Sequence, residues 1–104
     1  MIDEMQRMNA LLDAYEVLLT EKQQSIMDLY FKEDFSLSEI AEELHITRSA
    51  VNDHIKRSSH ILEDYEKKLN LVSHYEKRKE IYGKIKEVGN EEVKLLMDAL
   101  ENME

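Results

Sequence analysis

A chain of 104 residues with 42% hydrophobic and 36% charged side chains has the size and composition of one small soluble domain. The absence of cysteine excludes disulfides, thiolate zinc sites and cysteine nucleophiles, and fits a reducing cytoplasm. With no proline and only Gly83 and Gly89 for turns, hairpin-rich β folds are excluded; a formal net charge of -9 speaks against indiscriminate binding to nucleic acid.

Met1, Met5, Met8, Leu12, Tyr15 and Leu19 recur by four and three, which predicts a first helix of about five turns. The segment Met1 to Ala10 is charged, so it is not expected to be a signal peptide, and no apolar run reaches the roughly 20 residues of a membrane span. "TEKQ" at Thr20 to Gln23 has capping-box form and opens a second helix with Ile26, Leu29 and Tyr30 inward. "SLSE" repeats the device at Ser36 and Glu39 and starts a short helix with Leu37, Ile40, Ala41 and Leu44 as its buried stripe.

The pattern breaks after Leu44 and resumes at Thr47, a candidate cap for a helix carrying Val51 and Ile55. A short helix, a tight turn plugged by Ile46 and a second helix is the helix-turn-helix spacing. The turn has His45 where glycine is common, and His accepts a left-handed backbone more readily than most residues. Val51, Ile55, Ser58, Leu62, Tyr65, Leu69 and Val72 then extend the second helix as a seam. That seam suits packing on the N-terminal helix or pairing with a second copy. Ser73 with Glu76 offers a further capping box; Tyr75, Tyr82, Ile85 and Val88 mark the helix it would open, which ends near Gly89. Asn90 caps a last helix with Val93, Leu96, Met97, Leu100 and Met103 on one face. The plan is all-α: a helical domain over 1–72 with the helix-turn-helix at about 36–57, and a C-terminal extension over 73–104 for dimerisation or packing.

Charge is uneven along this plan. Residues 1–47 hold three Lys or Arg against eleven Asp or Glu, whereas residues 48–60 hold Arg48, Lys56 and Arg57 against Asp53 alone. Three cations on one helix give weak phosphate affinity to a single copy, and a two-fold pair doubles them. The charged "YEKRKEIYGKIK" is read as a solvated face, and the six methionines as gap-filling core. His45, His54, His60 and His74 lack the spacing of helical metal ligands, and no phosphate loop or nucleophile motif is present, so neither metal, cofactor nor enzymatic activity is expected.

From Leu18 to Leu69, half of the chain, the "LLTEKQ" opening, Tyr30-Phe31, "DFSLSEIAEE", "TRSAV", "IKR" and "YEKKL" closely resemble the YlxM family of small bacterial helix-turn-helix proteins. The region is similar, more distantly, to the promoter-reading C-terminal part of bacterial sigma factors. The resemblance implies a sigma-like, wing-free helix-turn-helix and a link to the signal recognition particle, whose GTPase genes neighbour those of the family. Two functions follow from different classes. One is a cytoplasmic, homodimeric regulator that reads DNA through Arg48, Ser49, Asn52, Asp53, Lys56 and Arg57. The other is a protein-interaction module of the targeting pathway that keeps the fold without the phosphate contacts.

Overall fold

The computed structural model describes residues 2–103, with side chains from Glu4 onward. Among them are six α-helices and no strand: α1 (Ile2–Tyr15), α2 (Glu21–Phe31), α3 (Leu37–Leu44), α4 (Arg48–Leu69), α5 (Leu71–Val88) and α6 (Glu91–Asn102), with a 3-10 turn over Glu16–Leu18. The chain divides at Asn70 into two compact units.

In the first unit, α4 is the column on which α1, α2 and α3 all pack. Its inner face is Val51, Ile55, Ser58, Leu62 and Glu66, one residue per turn, and these are buried. Against it lie Met8, Leu11, Leu12 and Tyr15 of α1, Ile26 and Met27 of α2, and Ile40 of α3, all buried. The first helix is shorter than its apolar repeat: the chain tightens after Tyr15, yet Leu19 beyond the turn stays buried. Met1, counted in that repeat, lies outside the described residues. Leu29 and Tyr30 are half-buried, and Met27 takes the deeper place on α2.

Two of the three expected capping boxes form, at Thr20 and Ser36. The Thr20 hydroxyl accepts from the Gln23 N–H at 3.2 Å while the Gln23 side chain accepts from the Thr20 N–H at 3.0 Å, and Ser36 and Glu39 reproduce the exchange at 3.1 and 2.9 Å. The bond from the Ser36 backbone, joined by its hydroxyl, holds the Glu39 carboxyl below its ordinary pKa.

A polar contact lies inside the column. The Tyr15 hydroxyl donates to Glu66 Oε1 at 2.6 Å, and the Tyr15 ring stacks on Tyr65 at 6.0 Å. The phenol supplies a buried carboxylate with a donor and ties α1 to the C-terminal half of α4. Arg7 adds a second tie, 2.7 Å from Glu63. On the other side Lys32 gathers Glu16 at 3.2 Å, Asp13 at 3.5 Å and Asp28 at 4.0 Å. Burial pushes the Lys32 ammonium down, but its bond to Glu16 and the surrounding carboxylates raise it above the ordinary value.

The expected start of α5 at Ser73 is corrected by the structure. Asn70 takes a left-handed backbone, φ 56, and ends α4; α5 begins at Leu71, so Ser73 is internal and Val72 belongs to α5 rather than to the seam of α4. Asn adopts this conformation at little cost, and a single such residue is enough to break a helix.

In the second unit α5 and α6 pack on one another across Gly89-Asn90. A Cβ at Gly89 would meet Val93 Cγ1 at 2.5 Å and the Ile85 carbonyl at 2.9 Å, so the close turn requires glycine. Asn90 caps α6 by accepting from the Val93 N–H at 3.0 Å, and Lys86 of α5 holds Asp98 at 2.9 Å and Glu101 at 2.8 Å. Met97 is buried, but most of the expected apolar face is not: Leu96 is 61% exposed, Met103 83% and, on α5, Val88 88%.

Ile40 of α3 is fully buried, whereas Glu43, one turn on, has already left the inner stripe and is solvated. Ile40→Asp should unfold the first unit by placing a carboxylate without donors in the core, whereas Glu43→Ala should shift stability by no more than about 0.5 kcal/mol. Thermal melts of the two variants check it; equal effects would mean that the faces of α3 are misassigned.

Candidate nucleic-acid interface

The turn between α3 and α4 is built by backbone conformation and two caps. His45 sits in the left-handed region at φ 56, ψ 43, as its tolerance of that region allowed, and the Ile46 N–H reaches back to the Ala41 carbonyl at 3.1 Å. The six-to-one bond closes α3 and turns the chain sharply. Two residues after His45, Thr47 receives the Ala50 N–H on its hydroxyl at 3.0 Å and starts α4. Ile40 and Val51 are fully buried on either side of the turn, so the two helices share one core and the orientation of α4 is fixed by it.

With that face committed, the remaining side chains at the head of α4 turn to solvent. Arg48, Ser49, Asp53, Lys56 and Arg57 are exposed, while Asn52 is half-buried at the edge of the core. The six residues singled out in the sequence therefore occupy the first three turns of one helix. Asp53 and Arg57 are joined: the Arg57 guanidinium lies 2.6 Å from the Asp53 carboxylate, one turn apart, with both side chains well exposed. The sequence set Asp53 alone against the three cations of the strip; the structure adds that it pairs with one of them.

Lys56 has a second neighbourhood that sequence reasoning missed. It stands at the edge of an open cleft of about 530 Å³, floored by Met5, Met8, Tyr30, Phe31 and Ile55 and rimmed by Glu4, Ser59, His60 and Glu63. Tyr30 and Phe31 meet edge to face, their ring centroids 4.9 Å apart. The adjacent aromatics were the available signal, but nothing in their spacing said that α1 and α4 would meet beside them. Among the described residues, no three His, Asp or Glu side chains converge as a metal site, and no helix is long and apolar enough to cross a membrane.

A short capped helix, a left-handed turn and a second helix with a buried inner face and a polar outer face define a helix-turn-helix protein. The chain belongs to the UPF0122 family, described as "helix-turn-helix protein, YlxM / p13 like", whose pattern matches residues 2–102. It is 48% identical to a UPF0122 protein of Halalkalibacterium halodurans over 109 aligned positions, covering all of both chains. It is also 48% identical to UPF0122 protein YlxM of Bacillus subtilis over 103 positions, and 49% identical to a UPF0122 protein of Bacillus licheniformis over 100, with 94% of each chain covered in both comparisons.

Proposed function

We propose that the chain is a DNA-binding regulatory protein that presents the outer face of α4 to the major groove and acts in connection with the signal recognition particle pathway. The observation that carries the DNA reading is the exposure of Arg48, Ser49, Lys56 and Arg57 at the head of a helix whose opposite face is locked into the core. A helix so held can enter the groove as a rigid body, with its N-terminal turns toward the base edges. In this reading it works in the cytoplasm as a binding protein rather than as an enzyme. The link to the targeting pathway rests on family likeness alone.

Two copies belong to the same reading. The strip has too few cations for useful affinity, and a symmetric pair with its α4 helices about 34 Å apart would set twice as many against successive grooves. The second unit supports the pairing: Ile81, Val88, Leu95, Leu96, Leu100 and Met103 are exposed in a helix pair too small to enclose them.

One observation favours the other reading, a protein-interaction module of the same pathway. Through Asn70 the chain has eight Lys or Arg against fifteen Asp or Glu, and Asp53 already occupies Arg57. Such a surface suits a basic protein partner.

Binding separates the two. Arg48→Ala and Lys56→Ala should each weaken retention on duplex DNA nearly uniformly across sequences and lower the salt slope by about one, whereas Asn52→Ala should change sequence preference. Unchanged retention in all three variants would remove α4 as the contact surface. Sedimentation equilibrium at tens of micromolar should give twice the 12.3 kDa chain mass; a persistent single-chain species would reject the symmetric pair.

A further inference from the structure

The feature that the DNA reading leaves unexplained is the carboxylate at its centre. Asp53 lies in the second turn of α4, exposed, one turn after Ser49 and one before Arg57. The first turns of such a helix come closest to the base edges, so a short side chain there faces bases while a longer one a turn later reaches the flanking backbone. A bare carboxylate beside phosphates opposes binding, and its loss of water is offset only where it finds a hydrogen-bond donor.

Resting on the DNA reading, we propose that Asp53 is a specificity-determining residue of α4, beside Asn52. Its carboxylate accepts a hydrogen bond from the exocyclic amino group of a cytosine, while Arg57 leaves it for a phosphate.

The 2.6 Å pair is the resting arrangement. Its two side chains are exposed and one turn apart, so the contact is weak enough to be exchanged for stronger partners. In the free protein the guanidinium satisfies Asp53, and Asp53 keeps Arg57 from attaching to phosphates at random. On a matching site both are satisfied separately: the cytosine amino group donates to the carboxylate, and the guanidinium donates to a phosphate oxygen. On a mismatched site either Asp53 loses its donor or Arg57 stays withdrawn. Cytosine is the base chosen because its own major-groove edge offers the N4 donor without an acceptor beside it. Adenine sets its N7 acceptor next to the N6 donor, against the second carboxylate oxygen. An acidic chain gains from this device, since selectivity comes from withholding a cation as well as from a base contact.

The test is selection from a randomised duplex library with the wild-type chain, Asp53→Ala and Asp53→Asn, with thermal melts to confirm that these exposed changes leave the fold intact. The wild type should enrich cytosine at one position by roughly tenfold over the other bases. Asp53→Ala should flatten that position and bind random duplex more tightly. Asp53→Asn should turn the preference toward adenine, whose N6 and N7 an amide pairs with. Replacing the selected cytosine with N4-methylcytosine should weaken wild-type binding, and 5-methylcytosine should not. If the wild type binds duplex with a sequence preference that both variants retain, the role of Asp53 is overturned and the DNA reading stands. If the wild type is retained on no duplex at low salt, both fall.

Discussion

One helix has to meet two different environments along its length, and the rest of the molecule is arranged around that requirement. The inner side of α4 supplies Val51, Ile55, Ser58, Leu62 and Glu66 to the core, one per turn, and α1, α2 and α3 each bury their apolar stripes against it. Because interiors are close-packed, α4 cannot roll without opening voids on three sides. The polar residues of its other side inherit that rigidity: Arg48, Ser49, Asp53, Lys56 and Arg57 are displayed at positions set by the core on the inner face. The Tyr15 to Glu66 bond extends the restraint beyond the interface segment, since it forms while α1 stays in register with α4.

Electrostatics shape what such a surface can do. The first unit is acidic, and one of the few cations facing outward at the head of α4, Arg57, is paired with Asp53. In the proposed DNA reading these features would lower non-specific affinity and leave the outcome to local complementarity. The second unit contributes differently. Lys86 pairs within the helix couple with Asp98 and Glu101, while Ile81, Val88, Leu95, Leu96, Leu100 and Met103 remain in solvent. That division of labour suits a reader of DNA held to a second copy.

Much of the fold was legible because helix ends are local chemistry. Thr20, Ser36, Thr47 and Asn90 cap where their hydroxyl or amide could be read to do so, and His45 takes the left-handed turn. The end of α4 was misread for the same reason turned around. Ser73 with Glu76 has the spacing of a cap, but spacing does not reveal which residue the backbone uses to break, and Asn70 does so first. Glu66 was hidden by the mismatch between a seven-residue repeat and a helix of 3.6 residues per turn. From Leu62 the next inward position falls on Tyr65 or Glu66, and the apolar choice looked safer until Tyr15 supplied a partner 51 residues away. The six residues of the candidate interface were readable as a helical face. The pairing of Asp53 with Arg57 was a matter of side-chain geometry that charge counting cannot supply.

The central claim is that the outer face of the first three turns of α4 is a nucleic-acid contact surface. Backbone amide shifts of the isotope-labelled chain, followed as duplex DNA is added at low salt, test it directly. The account predicts that the largest changes fall on Arg48, Ser49, Asn52, Asp53, Lys56 and Arg57, with the inner positions Val51, Ile55 and Leu62 moving little. Changes confined to the acidic helices α1 to α3 or to the second unit, or no change at all, would contradict it.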